Sequence, residues 1–127
     1  GLVEAHTLVA RDPPSHNNLA MDLQELRRFD EAKSLLRGTI PVARRVLGDS
    51  KFLMLKLRWT CAKASYNDPG ATLDDLREAV TLLEDLAPTA RRVLGGSYPV
   101  TTYIERDLRD ARAALHARET PPAPGSS

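Results

Sequence analysis

Apolar residues recur along this chain three or four positions apart, in stretches divided by clusters of Pro, Gly and Asn. That spacing is helical throughout. Leu2, Val3, Leu8 and Val9 predict a short leading helix over residues 1–11. Asp12-Pro13-Pro14-Ser15 is expected to end it, because two prolines remove two donors and push the preceding residue out of the α region. A second helix is predicted from about His16 to Arg27, capped by Ser15 or Asn17, with Leu19, Ala20, Leu23 and Leu26 on one face. A longer helix over 30–47 carries Ala32, Leu35, Leu36, Ile40, Ala43 and Leu47. Pro41 deletes the hydrogen bond to the carbonyl of Arg37, so a kink or break is expected near Gly38-Thr39. Residues 52–66 predict a helix with an unusually broad apolar surface. Asn67-Asp68-Pro69-Gly70 signals a turn, and Thr72 with Asp75 predicts a capping box. The helix it opens runs to about Leu94 on Leu76, Ala79, Val80, Leu83, Leu86 and Ala90. A last helix, about 100–118, has its stripe at Ile104, Leu108, Ala111 and Leu115 and charge elsewhere, as a terminal element needs. Residues 119–127 are too rich in Pro, Gly and Ser to pack and are expected to be disordered.

The pattern repeats. Residues 43–48 and 90–95 both read ARRVLG, 47 residues apart. Laid over 76–97, residues 29–50 give twelve identities in twenty-two without a gap. Self-similarity at such a period marks stacked supersecondary units. Pro41 and Pro88 share one repeat position, so the expected bend belongs to the unit. Gly48 and Gly95 follow the last apolar residues and are expected to take the left-handed conformation that ends a helix. Arg44/Arg45 and Arg91/Arg92 lie in the last turns, where cations suit the helix dipole.

Composition narrows the function classes. The 127 residues are one domain's worth, and the formal net charge of +1 offers no global field toward nucleic acid or an acidic membrane. A lone cysteine, Cys61, excludes an internal disulfide and favours a reducing, cytoplasmic setting. No apolar run approaches the roughly 18 residues of a membrane span. The chain opens at Gly1, mid-pattern, as a fragment of something longer would.

Asn17-Asn18-Leu19-Ala20, Leu23, Arg28-Phe29-Asp30-Glu31-Ala32, Leu35-Leu36 and Arg44-Arg45-Val46-Leu47-Gly48 together resemble the tetratricopeptide repeat of the kinesin-light-chain type, with its unit of about 42 residues. The resemblance covers about residues 6–112. It departs at Arg27, where the family has a loop glycine. It departs again at Lys51-Phe52 and Tyr98-Pro99, where the family has His-Pro, and at Asp12 to His16, which look like an insertion. The second unit matches NNLA only as Trp59-Thr60-Cys61-Ala62, and about five extra residues follow around Asn67 to Ala71. Hence 42 residues separate Ala20 from Ala62 while 47 separate the ARRVLG runs. The third copy has decayed to Arg106-Asp107-Leu108-Arg109.

The resemblance implies an all-α fold: a right-handed α-solenoid of antiparallel helical hairpins, two repeats plus a C-terminal capping helix. The domain is expected over 1–118, with a partial leading helix 1–11, repeats 16–48 and 52–95, a capping helix 99–118 and a tail 119–127. It also implies a peptide-binding concave face lined by the first helix of each hairpin. On matching positions the lining is Asn17, Asn18, Met21 and Gln24, then Lys56, Trp59, Thr60, Lys63 and Tyr66, then Tyr103, Arg106 and Asp110. Asparagine amides there can hold a peptide backbone, having both donor and acceptor. Trp59 between Lys56 and Lys63 would suit an aromatic-plus-acidic motif. Two alternatives stay open: Trp59 packed in a helix–helix seam, and Asn17-Asn18 serving only as caps.

Other chemistry is thin. The arginine pairs could form a phosphate comb or simply solvated helix ends. Two units do not make an RNA-reading array, so nucleic acid is not the expected partner. His6, His16 and His116 form no spaced ligand pair, and no metal or other cofactor is expected. Cys61 has no histidine spaced to activate it and reads as a core thiol. The expectation is a non-enzymatic scaffold that binds a partner peptide or helix, with no small-molecule substrate and no membrane. The alternative is a structural spacer, or a self-associating end that stacks with further repeats.

Overall fold

The computed structural model describes residues 13–48 and 52–119. The leading helix over 1–11 and the tail over 120–127 lie outside the described residues. Among the described residues five helices run in order: α1 (Pro13–Glu25), α2 (Phe29–Leu47), α3 (Phe52–Asn67), α4 (Leu73–Leu94) and α5 (Pro99–Glu119). No strand occurs among the described residues, and the fold is all-α, a stack of helical hairpins. Short connections force neighbouring helices antiparallel. Helices α1, α3 and α5 form one layer; α2 nests on α1 and α3, and α4 on α3 and α5.

Two apolar clusters hold the stack. The first joins Ala20, Ala32, Leu36 and Ala43 to Met54, Leu57, Cys61 and Ala64. The second joins Leu55 and Ala62 to Val80, Leu83, Leu86, Ala87, Ala90, Ile104 and Ala111. Helix α3 feeds both, which is why its apolar surface is so broad. Each buried leucine contributes roughly 1.5–3 kcal/mol. The half-exposed ion pairs between helices are worth about 0–1 kcal/mol apiece. Apolar burial therefore holds the stack, and the ion pairs help fix its register. One such pair is the forked Arg37–Glu78 contact (2.7 and 2.9 Å) from α2 to α4. Another is Arg91–Glu105 (3.1 Å) from α4 to α5.

Several expectations need correction. Pro13 and Pro14 do not precede α1 but open it. The first turn of a helix has orphan N–H groups anyway, so prolines fit there without losing a bond. Ser15, Asn17 and Asn18 consequently sit inside the helix and do not cap it. Ala20 is buried and Leu23 packs on the first cluster as expected, but Leu19 and Leu26 are exposed, and His16 and Asn17 complete the buried side of α1. Pro41 and Pro88 do not break their helices, which continue through both. The Thr39 hydroxyl, two residues before Pro41, donates to the Leu35 carbonyl (2.8 Å) within the unbroken helix.

The glycine ends were expected in the left-handed helical region. Their φ values are indeed positive, but Gly48 (80°, 170°) and Gly95 (95°, 150°) sit at extended ψ. That region is essentially closed to side-chain-bearing residues. The left-handed helical position is taken elsewhere, by Arg27 (φ 61°), where the resemblance places a glycine. Arg28 N–H bonds the Leu23 carbonyl (2.8 Å) and Arg27 N–H the Gln24 carbonyl (2.9 Å). This is the paired closure of a Schellman end, made by an arginine whose guanidinium lies 5.6 Å from the Phe29 ring centre. The Thr72–Asp75 capping box forms as expected, with bonds of 3.0 and 3.1 Å.

Candidate functional site

The face of the α1/α3/α5 layer turned away from α2 and α4 carries most, though not all, of the residues singled out in the sequence. Helical spacing places Lys56, Trp59, Lys63 and Tyr66 on one stripe of α3. All four are half-buried. The Trp59 indole N–H donates to Asp107 Oδ2 across to α5 (2.6 Å), and the Lys63 ammonium lies 4.2 Å from the Trp59 ring centre. Tyr66 also meets Asp107, and its hydroxyl is pushed well up, first by burial and then by that carboxylate. Burial holds the Lys63 ammonium below the usual lysine value, with Asp107 acting in the opposite direction. Lys56 covers Phe52 at 5.5 Å, and Phe52 meets Tyr98 edge-on with ring centres 6.4 Å apart.

Between α1 and α3 lies a hollow of about 190 Å³ lined by Met21, Gln24, Glu25, Lys63 and Asn67. Its edge is fixed by Gln24, whose amide donates to the Thr60 carbonyl (3.3 Å). Met21, Gln24 and Lys63 thus come together around one cavity. Asn18 is exposed on α1. Asn17 and Thr60 are 2% exposed and do not open onto the face. The Asn17 amide lies 3.8 Å from Met21 Sδ, and its carbonyl oxygen is buried without a hydrogen-bond partner among the described residues. The Thr60 hydroxyl is spent on the Lys56 carbonyl (2.8 Å). Tyr103 and Arg106 are exposed on α5 and stack on each other at 5.6 Å. Asp110 is exposed on the same helix.

Sequence reasoning missed Glu25, Asn67 and Asp107. Asp107 had a usable signal: a half-buried indole N–H needs an acceptor, and Asp107 is an acid in the decayed third copy. Glu25 and Asn67 had none, because both sit at helix ends whose position depends on stacking.

The remaining candidates resolve differently. Burial pushes the Cys61 thiol up to about 11, so it stays protonated as a core group. Arg91 bridges α4 to α5 through Glu105, while Arg45 and Arg92 are exposed. His16 is buried against the Thr39 hydroxyl, and His6 lies outside the described residues. Among the described residues, no group of three or more His, Cys, Asp or Glu could hold a metal ion. No helix among them is long and apolar enough to cross a membrane.

No curated protein and no solved structure matches the chain. Residues 16–50, the first hairpin, match the family model of the tetratricopeptide repeat, a repeat that generally mediates protein–protein interaction. That match, with a second hairpin built the same way, supports a tetratricopeptide-repeat protein.

Proposed function

We propose that the chain is a non-catalytic, cytoplasmic scaffold of the kinesin-light-chain type, and that the α1/α3/α5 face is its concave, peptide-binding side. The domain runs over 1–118 in this proposal, with the tail beyond it outside the fold. The observation that carries the reading is the hollow where Met21, Gln24 and Lys63 converge. It offers an apolar thioether, an amide and a cation beside the Glu25 carboxylate, which fits an extended peptide whose acidic side chain is set against Lys63 and away from Glu25. Trp59 contributes as the platform under Lys63, its own N–H being engaged by Asp107. The motif recognised is therefore acidic first, with the aromatic element secondary.

The test is a peptide-library screen against the wild type, Lys63→Glu and Met21→Glu. Both side chains lie on the hollow and neither is in a core cluster, so circular dichroism is expected to stay unchanged. Peptides selected by the wild type are expected to bind each variant at least about tenfold more weakly, the scale of one lost charged contact. Equal binding to all three proteins sinks the reading. A second reading, self-association, rests on Val42 and Val46, one turn apart on α2 and 44% and 77% exposed. Light scattering that rises with concentration in the absence of any peptide supports it over the first.

A further inference from the structure

Between α4 and α5 lies a second hollow of about 390 Å³, roughly twice the size of the first and on another side of the stack. It is lined by Ala87, Thr102, Glu105, Leu108, Arg109 and Arg112. The 47-residue repeat says what this place is. Shifted by 47, the residues of α3 that pack on α2 (Met54, Leu57, Cys61, Ala64) become Thr101, Ile104, Leu108 and Ala111. On α5 these pack against α4, with Thr101 donating to the Ala90 carbonyl (3.3 Å). The register therefore holds in space as well as in sequence.

The same shift applied to the other side of α3 is informative. There Leu55 and Ala62 pack with α4, Arg58 pairs with Asp85, and the Ser65 hydroxyl donates to Glu78 (3.3 Å). Their counterparts on α5 are Thr102, Arg109, Glu105 and Arg112, four of the six residues around the hollow. The hollow is thus the seat on α5 that corresponds to the one α4 occupies on α3, and it holds no helix among the described residues. Its chemistry differs. Two apolar residues have become Thr102 and Arg109, the base Arg58 has become the acid Glu105, and Ser65 has become Arg112.

We infer that this seat takes one amphipathic helix of a partner protein. That helix carries an acidic residue for Arg112 and Arg109 and a basic residue seven positions later for Glu105. The spacing follows from the α3–α4 crossing, where Glu78 and Asp85 are seven apart and meet Ser65 and Arg58 in antiparallel order. Arg109 has no ion-pair partner among the described residues. Among the described residues, Arg112 and Glu105 are held by surface pairs to Glu84 (3.1 Å) and Arg91 (3.1 Å), which exchange partners at little cost. Residues 120–127, with three prolines and no acidic side chain, lack the chemistry of the occupant. The inference is independent of the peptide-binding proposal, since the two surfaces share no residue.

The test uses the full chain, labelled with ¹⁵N. The probe is a helix-stapled peptide of residues 73–94 carrying Asp85→Lys, which matches the altered seat. Saturable shifts are expected at Thr102, Arg109 and Arg112, with half-saturation at roughly 0.1–1 mM for a seat this small. The same peptide with Asp85 retained and Glu78→Lys is expected to bind at least about tenfold more weakly. Arg109→Glu in the protein weakens the first peptide, and Met21→Glu does not. Arg109 is exposed and has no ion pair among the described residues to lose on replacement. Absence of saturable shifts up to about 1 mM overturns the inference. So do shifts centred on Met21, Gln24 and Lys63, equal affinity for the two peptides, or shifts that track protein self-association.

Discussion

Trp59 and Asp107, 48 residues apart, are joined by a hydrogen bond of 2.6 Å from indole to carboxylate. The bond ties the middle of α3 to the middle of α5, and Tyr66 reaches the same carboxylate. Trp59 also packs against the second apolar cluster. An aromatic side chain that stands alone in the sequence, between two lysines, thus works as a seam between helices and as a platform for Lys63. Asp107→Ala is expected to leave the half-buried Trp59 indole N–H without its acceptor and to cost about 1–3 kcal/mol. Because Trp59 is the only tryptophan, its fluorescence reports the change directly. Urea denaturation followed at that residue measures it, and an unchanged midpoint speaks against the seam.

Arg58 and Asp85 form an asymmetric pair: the Arg58 side chain is 4% exposed and that of Asp85 71%. One Arg58 nitrogen, Nε, is buried without a partner among the described residues. Removing the acid leaves a buried guanidinium uncompensated, whereas removing the base removes the desolvation cost with it. Asp85→Ala is expected to destabilise by about 1–3 kcal/mol, discounted because Asp85 faces solvent. Arg58→Met, which keeps the packing volume, is expected to be near neutral. Thermal denaturation of the two variants, side by side, decides it; Arg58→Met the less stable of the two would contradict this account.

Arg27 occupies a left-handed position that costs a residue with a Cβ roughly 1–2 kcal/mol. Arg27→Gly relieves that strain and loses the Phe29 contact together with some unfolded-state advantage, so it is expected within about 0.5 kcal/mol of the wild type. Arg27→Ala keeps the strain and loses the contact. The glycine variant is therefore expected to be the more stable of the two by about 1 kcal/mol. Chemical denaturation of the pair reads this difference without reference to the wild type.

Gly95 sits at φ 95° and ψ 150°, and its N–H closes α4 on the Arg91 carbonyl (3.0 Å). A Cβ there meets no atom within 4 Å, so the cost of Gly95→Ala is purely backbone strain. Destabilisation by about 1–3 kcal/mol is expected. A loss below about 0.5 kcal/mol would mean the chain reaches α5 by another route at no cost.

Asp75 supplies a pH dependence. The Thr72 N–H, above all, and then the Thr72 hydroxyl and Lys33 hold its carboxyl below the usual carboxylate value. A group depressed on folding stabilises above its unfolded pKa, about 3.9, and that contribution is lost as pH falls through the folded value. Asp75→Asn is therefore expected to cost about 1 kcal/mol at pH 7 and progressively less as the pH is lowered below 4. Stability measured at pH 7, 4 and 2.5 for both proteins tests the convergence.

The helices, their order and the 47-residue repeat were legible in the chain because they are local. Periodic leucines and alanines, the Thr72–Asp75 box and the turn glycines act within a few residues of themselves. The stripe of α5 was legible for the same reason, and so was the double-sided character of α3, which follows from having neighbours on both sides. Proline was misread twice. Local rules say what a proline removes, but packing on both sides of α2 and α4 keeps the helices continuous through Pro41 and Pro88.

The site was less legible than the fold. Lys63, Met21 and Gln24 were named from repeat register, and the stack brings them around one hollow. Asn17 and Thr60 carry the same register and are buried, because a stripe several residues wide has an inner and an outer edge. Which edge a residue falls on depends on how far α1 is rolled against α3. That angle is set by contacts such as Gln24 with the Thr60 carbonyl, between residues 36 apart. The sequence by itself determined where helices form and how often they repeat, since hydrogen bonding and apolar periodicity are near-neighbour properties. Only the tertiary structure decided which side chains face one another across the stack. Asp107 serving Trp59, and the vacant register of Leu55, Arg58, Ala62 and Ser65 reappearing on α5, are relations between distant residues that close packing alone brings into contact.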